Sequence, residues 1–100
     1  MKLAMIPPVR REMLRAARRY DRVAPGLGDR FLDEVRAGLR AILEDPNGHP
    51  PLAMPYCRKL LWVFTFALVY LDEADEIAVV AVASFWRRPG YWKPKMKPKE

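Results

Sequence analysis

Residues 66–85 read FALVYLDEADEIAVVAVASF, and they are the part of the sequence that says most about the architecture. It holds two apolar runs, Phe66–Leu71 and Ile77–Phe85, which are rich in valine, leucine and aromatic residues, as β-strands are. The polar residues 72–76 between them are typical of the tip of a hairpin. The second run is almost continuously apolar, which predicts a central strand whose small alanine face packs against helices.

Two helices are predicted before this hairpin. Over residues 8–22, apolar side chains recur on one helical face: Val9, Met13, Ala16, Ala17 and Tyr20. After the turn Pro25–Gly28, a second apolar stripe ends at the stop signal Asp45–Gly48 and comprises Leu27, Phe31, Val35, Leu39, Ile42 and Leu43. We expect Val23, Leu27 and Phe31 to belong to the core. Together the two segments form a helical hairpin with one apolar face.

The remaining segments complete an α+β fold. Residues 2–6 predict an opening strand, residues 49–55 a proline-rich loop, and Arg58–Val63 a further strand. The order β-α-α-β-β-β predicts a small antiparallel β-sheet with the amino-terminal helical hairpin packed on one face. We expect one domain over residues 1–92, followed by a basic Pro/Lys tail, residues 93–100, that is disordered when free.

Composition excludes several classes of protein. A chain of 100 residues, 51% apolar and 30% charged, is globular but too short for two independent cores. A single cysteine, Cys57, excludes an internal disulfide and suits a reducing compartment. The longest apolar run, Leu60–Leu71, has twelve residues, whereas a membrane span needs roughly 20. With no signal-peptide pattern at the amino terminus, we expect a cytoplasmic protein without membrane contacts.

The net charge of +6 is concentrated at the two ends of the chain. Residues 1–22 carry seven basic and two acidic side chains, and residues 87–100 carry six basic and one acidic. The middle, residues 23–86, is acidic on balance. Two basic ends around an acidic middle predict a positive face and a polyanionic or acidic partner.

Four stretches together resemble the RelE/ParE superfamily, the toxins of type II toxin–antitoxin systems (the plasmid stabilisation protein family). They are the turn and helix Pro25–Val35, the loop with Pro50-Pro51, the basic strand start Cys57–Lys59 and the ending Ile77–Trp92. The resemblance covers residues 2–92 in matching order and spacing. No single motif carries it alone.

The resemblance implies a small antiparallel sheet with a helical hairpin, and neutralisation by an antitoxin whose carboxy-terminal segment wraps the toxin. ParE-like members inhibit DNA gyrase, whereas RelE-like members cleave mRNA on the ribosome. Heterotetramers with the antitoxin are common in the family. For this chain we expect no cofactor, and we expect a cognate antitoxin with an acidic segment that folds on binding.

Cleavage of RNA would need proton transfer and cations that stabilise a phosphorane. In RelE-like nucleases, Lys and Arg on the sheet and a carboxy-terminal Tyr do this work. The positions that match by placement are Arg58, Lys59, Arg87 and Tyr91. Contacts with a target or an antitoxin are expected from a wider basic and aromatic set: Arg15, Arg18, Arg19, Trp86, Arg87, Arg88 and Trp92.

The chain departs from the nuclease pattern in its sheet. Ala67 stands where those nucleases carry an essential arginine, and Leu71 stands where many relatives have a basic residue. Phe85-Trp86 replaces a His-Gly pair. These departures favour ParE-like inhibition. A RelE-like nuclease and a degenerate member that only binds antitoxin remain as alternatives.

Other chemistry finds little support in the sequence. The single histidine, His49, lies in the proline-rich loop and is interpreted as a loop residue rather than a catalyst. One histidine and one cysteine cannot build the usual zinc sites, so no metal is expected. The acidic residues among 72–76 lack an orienting glycine pattern and are interpreted as a solvated hairpin tip.

Overall fold

The computed structural model describes residues 2–49, 51–53, 55–61, 63–73 and 75–84. Its elements are β1 (Lys2–Met5), α1 (Pro7–Val23), α2 (Leu27–Glu44), β2 (Pro51–Ala53), β3 (Tyr56–Leu60), β4 (Phe66–Glu73) and β5 (Glu76–Ser84). The predicted α+β class and element order are confirmed. The predicted loop over residues 49–55 contains the short strand β2, which lies at the sheet edge, where proline is tolerated.

The five strands form one sheet in the order β1-β5-β4-β3-β2. The β3–β4 and β4–β5 pairs are antiparallel, as predicted, and β2 adds a further antiparallel pair with β3. The strand β1 pairs with β5 in parallel, so the sheet is mixed. An edge strand can complete its ladder in either direction. The parallel direction lets the chain pass from β1 straight into α1 over β5, and the backbone N–H of Ile6 donates to the carbonyl of Val79 at 3.2 Å.

The turn between the helices depends on two glycines. Gly26 has φ +87°, a left-handed conformation that favours glycine. Gly28 is the second residue of α2 and lies against α1, and its backbone N–H donates to Oδ1 of Asp21 at 2.8 Å. A Cβ at Gly28 would overlap the backbone carbonyl oxygen of Ala17. The close approach of the two helices therefore requires glycine at this position.

The main core lies between the helical hairpin and the sheet, as predicted. The helices bury their predicted apolar faces, including Val9, Ala16, Phe31, Val35 and Ile42, and the sheet contributes Leu68, Tyr70, Ile77 and Val79. Val23 was expected in this core but is 78% exposed. It is the last residue of α1, beyond Tyr20, which packs against the core.

We call the two surfaces of the sheet the helix face, which packs against α1 and α2, and the distal face. Ile77, Val79 and Val82 of β5 join the main core on the helix face, whereas Ala81 and Ala83 join a second buried cluster. The predicted alanine face of β5 therefore lies away from the helices, and the prediction was wrong on this point. Large branched side chains are needed to fill the spacing of about 10 Å between packed layers.

Candidate functional site

Two adjacent cations of β3 point to opposite faces of the sheet. Residues that pair across antiparallel strands share a face. Arg58 pairs with Val69, a member of the second cluster, and so lies on the distal face. Lys59 pairs with Leu68, a member of the main core, and so lies on the helix face. The structure separates two side chains that the nuclease hypothesis places at one reacting phosphate.

The surroundings of Arg58 are apolar. The next pair along the same face is Leu60 with Ala67, and Ala67 is buried. Within the part of the chain that the structure describes, the Nε of Arg58 is buried and has no hydrogen-bond partner. A guanidinium in this position can bind a phosphate or carboxylate through its N–H donors.

A second basic site lies on α1. Arg11, Arg15 and Arg19 follow one another at intervals of four residues and line one side of a groove of about 870 Å³. The groove runs between α1 and the ends of β4 and β5, and we call it the arginine groove. Its other described lining residues are Pro8, Glu12, Tyr20, Val23, Thr65, Phe66, Val82 and Ser84. Arg18 is exposed on the same helix but does not line the groove.

Tyr20 forms part of the floor of the arginine groove. Its ring centroid lies 5.2 Å from that of Phe31, 4.9 Å from that of Phe64 and 6.3 Å from that of Phe66. Burial raises the pKa of the Tyr20 phenol, and the positive charge of Arg19 partly opposes this shift. Tyr20 is therefore held in place by an aromatic cluster, and the three arginines lie beside it along one side of the groove.

His49 takes a structural place near the end of α2. Its Nε2 lies 3.4 Å from the carbonyl oxygen of Ala41, and its ring meets that of Tyr70 edge to face at 6.4 Å. Tyr70 is fully buried and donates its hydroxyl to the carbonyl of Pro46 at 2.7 Å. These contacts support the interpretation of His49 as a loop residue.

The packing of Tyr70 can be tested by measuring how the stability of the protein changes with pH. Burial, helped by neighbouring negative groups, raises the pKa of its phenol to about 12. The unfolded phenol has a pKa of about 10, so the unfolded state loses its proton first. The free energy of unfolding should therefore fall between about pH 10 and 12, by up to about 2–3 kcal/mol.

The matched variant is Tyr70→Phe, which cannot ionise. At neutral pH it should lose about 1 kcal/mol of the free energy of unfolding, because Pro46 loses its donor. Urea titrations on both sides of the pH window should show the wild-type protein losing more stability than Tyr70→Phe. Other tyrosines are the same in both proteins and cancel in this comparison. Parallel losses would show that Tyr70 is not held as described.

Several predicted site residues lie outside the described residues: Trp86, Arg87, Arg88, Tyr91 and Trp92, together with the tail 93–100. Within the described ranges, no three or more His, Cys, Asp or Glu side chains lie close enough to hold a metal ion. No helix in those ranges is long and apolar enough to cross a membrane.

No family model matches the chain, and no curated protein matches its sequence. The RelE/ParE assignment is therefore an expectation from the sequence alone.

Proposed function

We propose that this chain is the toxin of a type II toxin–antitoxin module and acts in the ParE manner in the cytoplasm. It would arrest growth by binding and inhibiting a target such as DNA gyrase. A cognate antitoxin with an acidic segment that folds on binding would neutralise it. The sequence resemblance, the helical hairpin on a small sheet and the basic amino-terminal helix support this proposal.

The placement of Arg58 carries the choice of inhibition over cleavage. Among the described residues of β3–β5, Arg58 is the single cation on the distal face, because Lys59 lies on the helix face. Its neighbours on that face include the apolar Leu60, Ala67 and Val69. A phosphorane is stabilised by several cations, and one guanidinium among apolar side chains does not supply them. Binding an acidic group of a target needs only that one charge.

One observation favours the RelE-like alternative. A buried guanidinium nitrogen without a partner costs free energy, and an anion would relieve it. A nuclease could place an RNA phosphate there, with Arg87 and Tyr91 supplied by the carboxy-terminal segment. The third alternative, a member that only binds antitoxin, shares the fold and lacks either activity.

The test is induced expression in a bacterial host, with transcript integrity and plasmid supercoiling measured in the same culture. We expect growth arrest with altered supercoiling and intact transcripts, and rescue by the cognate antitoxin. Arrest with unchanged plasmid topology would contradict the gyrase target. Soluble, folded protein without arrest would leave a binding fold without toxicity.

If transcripts are fragmented, a variant pair decides whether this chain cuts them. Arg58→Gln removes the distal-face cation, and Arg40→Gln removes an exposed cation of α2 as a matched control. Fragments that disappear in Arg58→Gln and persist in Arg40→Gln, at equal soluble expression, would establish the nuclease and overturn inhibition.

A further inference from the structure

We propose that the arginine groove binds an acidic amphipathic helix whose carboxylates recur every four residues and whose apolar residues contact the groove floor. This inference rests on the proposed function, which supplies an acidic partner segment. The arginine groove is the surface that recognises this segment, and the spacing of its arginines selects the spacing of the carboxylates.

The spacing follows from helix geometry. Residues four apart on a helix are separated by about 6 Å along the axis, so Arg11, Arg15 and Arg19 form a ladder of cations about 12 Å long. A neighbouring helix that repeats carboxylates at the same interval can meet each guanidinium in turn. Guanidinium–carboxylate contacts are charge-assisted and directional, so the register matters as well as the net charge.

The charge of the chain itself argues that the occupant is a partner. Ser84 lines the groove and is the last described residue. The residues that follow it carry six basic side chains and one acidic. Placing that sequence against three arginines would bring like charges together. An acidic helix from another molecule complements both the ladder and the basic sequence beyond Ser84.

The floor favours a peptide over a nucleic acid. Three phenylalanine rings pack around the Tyr20 ring with centroids at 4.9–6.3 Å, so part of its surface is occupied by the core and cannot stack on a base. Phe66 and Val82 add apolar side chains to the lining. Apolar side chains of an amphipathic helix fit this floor.

Val23 extends the same stripe of α1 by one further step of four residues. It is the most exposed large apolar side chain described, at 78%, and it lines the groove next to Tyr20 and Arg19. An apolar side chain of the partner, placed one step beyond its carboxylates, would cover Val23. The groove thus recognises a helix that carries three carboxylates followed, one step further along, by one apolar side chain.

The probes are two labelled synthetic helical peptides of identical composition. The ladder peptide carries three glutamates at successive fourth positions, with a leucine one step beyond at each end so that either orientation fits. The scrambled peptide places the glutamates at other intervals. Fluorescence anisotropy with the purified full chain should show the ladder peptide binding roughly tenfold more tightly, with affinity falling as salt rises.

Arg15→Gln should weaken binding of the ladder peptide about 3- to 10-fold, and Val23→Ser about 3-fold, because each removes one groove contact. Arg40→Gln, which removes the same charge from an exposed position on α2, should stay within about twofold. Circular dichroism of each variant confirms that it is folded. Equal binding of the two peptides, or equal effects of Arg15→Gln and Arg40→Gln, would overturn the proposal.

A single-stranded RNA oligonucleotide is the competing probe. If it binds more tightly than the ladder peptide and loses affinity with Arg15→Gln, the groove is a nucleic-acid site and the proposal is wrong. The failure of each proposal is distinguishable. Arrest in cells without ladder selectivity overturns the groove alone, and ladder selectivity without arrest overturns the toxin function alone.

Discussion

Replacing Phe31 by alanine is expected to lower the free energy of unfolding by about 3–5 kcal/mol. Phe31 is fully buried, and its ring lies 5.1–5.3 Å from those of Tyr20, Phe64 and Phe66. Truncation would remove a large apolar side chain and leave a cavity beneath the floor of the arginine groove. Since domains of this size are stable by about 5–15 kcal/mol, the variant should lie near the limit of folding.

The measurement is urea denaturation followed by circular dichroism, with Phe31→Leu as the control. Leucine keeps most of the apolar volume and should lose only about 1 kcal/mol. The difference between the variants therefore isolates the ring and its aromatic contacts. If Phe31→Ala and Phe31→Leu lose similar free energies of unfolding, the described aromatic cluster does not stabilise the core.

Gly28→Ala is expected to lower the free energy of unfolding, and this sign is opposite to the usual effect of replacing glycine by alanine in a helix. Alanine in a helix ordinarily gains up to about 1 kcal/mol over glycine. Here the added Cβ would overlap the backbone carbonyl oxygen of Ala17 and lie 2.8 Å from the Cγ of Asp21. The backbone at Ala17 can move away only if α1 separates from α2. We therefore expect the free energy of unfolding to fall by about 1–3 kcal/mol.

Gly38→Ala is the matched control for this prediction. Gly38 lies in the same helix, and its added Cβ would meet the terminal methyl groups of Leu68 and Leu61 at 2.7 and 3.3 Å. Side-chain ends can shift where a backbone carbonyl cannot, so the loss at Gly38 should be smaller. Urea denaturation curves compare the two variants. A loss at Gly38 equal to or larger than that at Gly28 would contradict the close helix contact.

The spacing of apolar side chains along single segments was enough to predict much of the fold. The stripe through Val9, Ala16 and Ala17 and the stripe through Phe31, Val35 and Ile42 follow the helical repeat, and the structure buries both. A strand alternates with period two, so the separation of Arg58 from Lys59 was also readable once β3 was recognised. The predicted contact set named Arg15, Arg18 and Arg19, but the groove is lined by Arg15, Arg19 and Arg11, whose spacing of four residues the sequence analysis did not single out.

Other features depend on neighbours distant in sequence. The direction of β1 depends on the edge of β5 that it joins, and the exposure of Val23 depends on where the core ends. The face of β5 that meets the helices depends on its register with β4, which shifts between Val69 and Tyr70. A period of two identifies the two faces of a strand but does not say which one the helices cover.

By itself, then, the sequence determined the order of the elements, the apolar faces of both helices and the positive charge at the two ends. These depend on the repeat of side chains along one segment, which is a local property. Tertiary packing alone placed Arg58, rather than Lys59, on the distal face and set the arginine stripe beside a groove lined by Tyr20 and Phe66. Both arise where segments far apart in the chain meet, because packing and strand register place their side chains together.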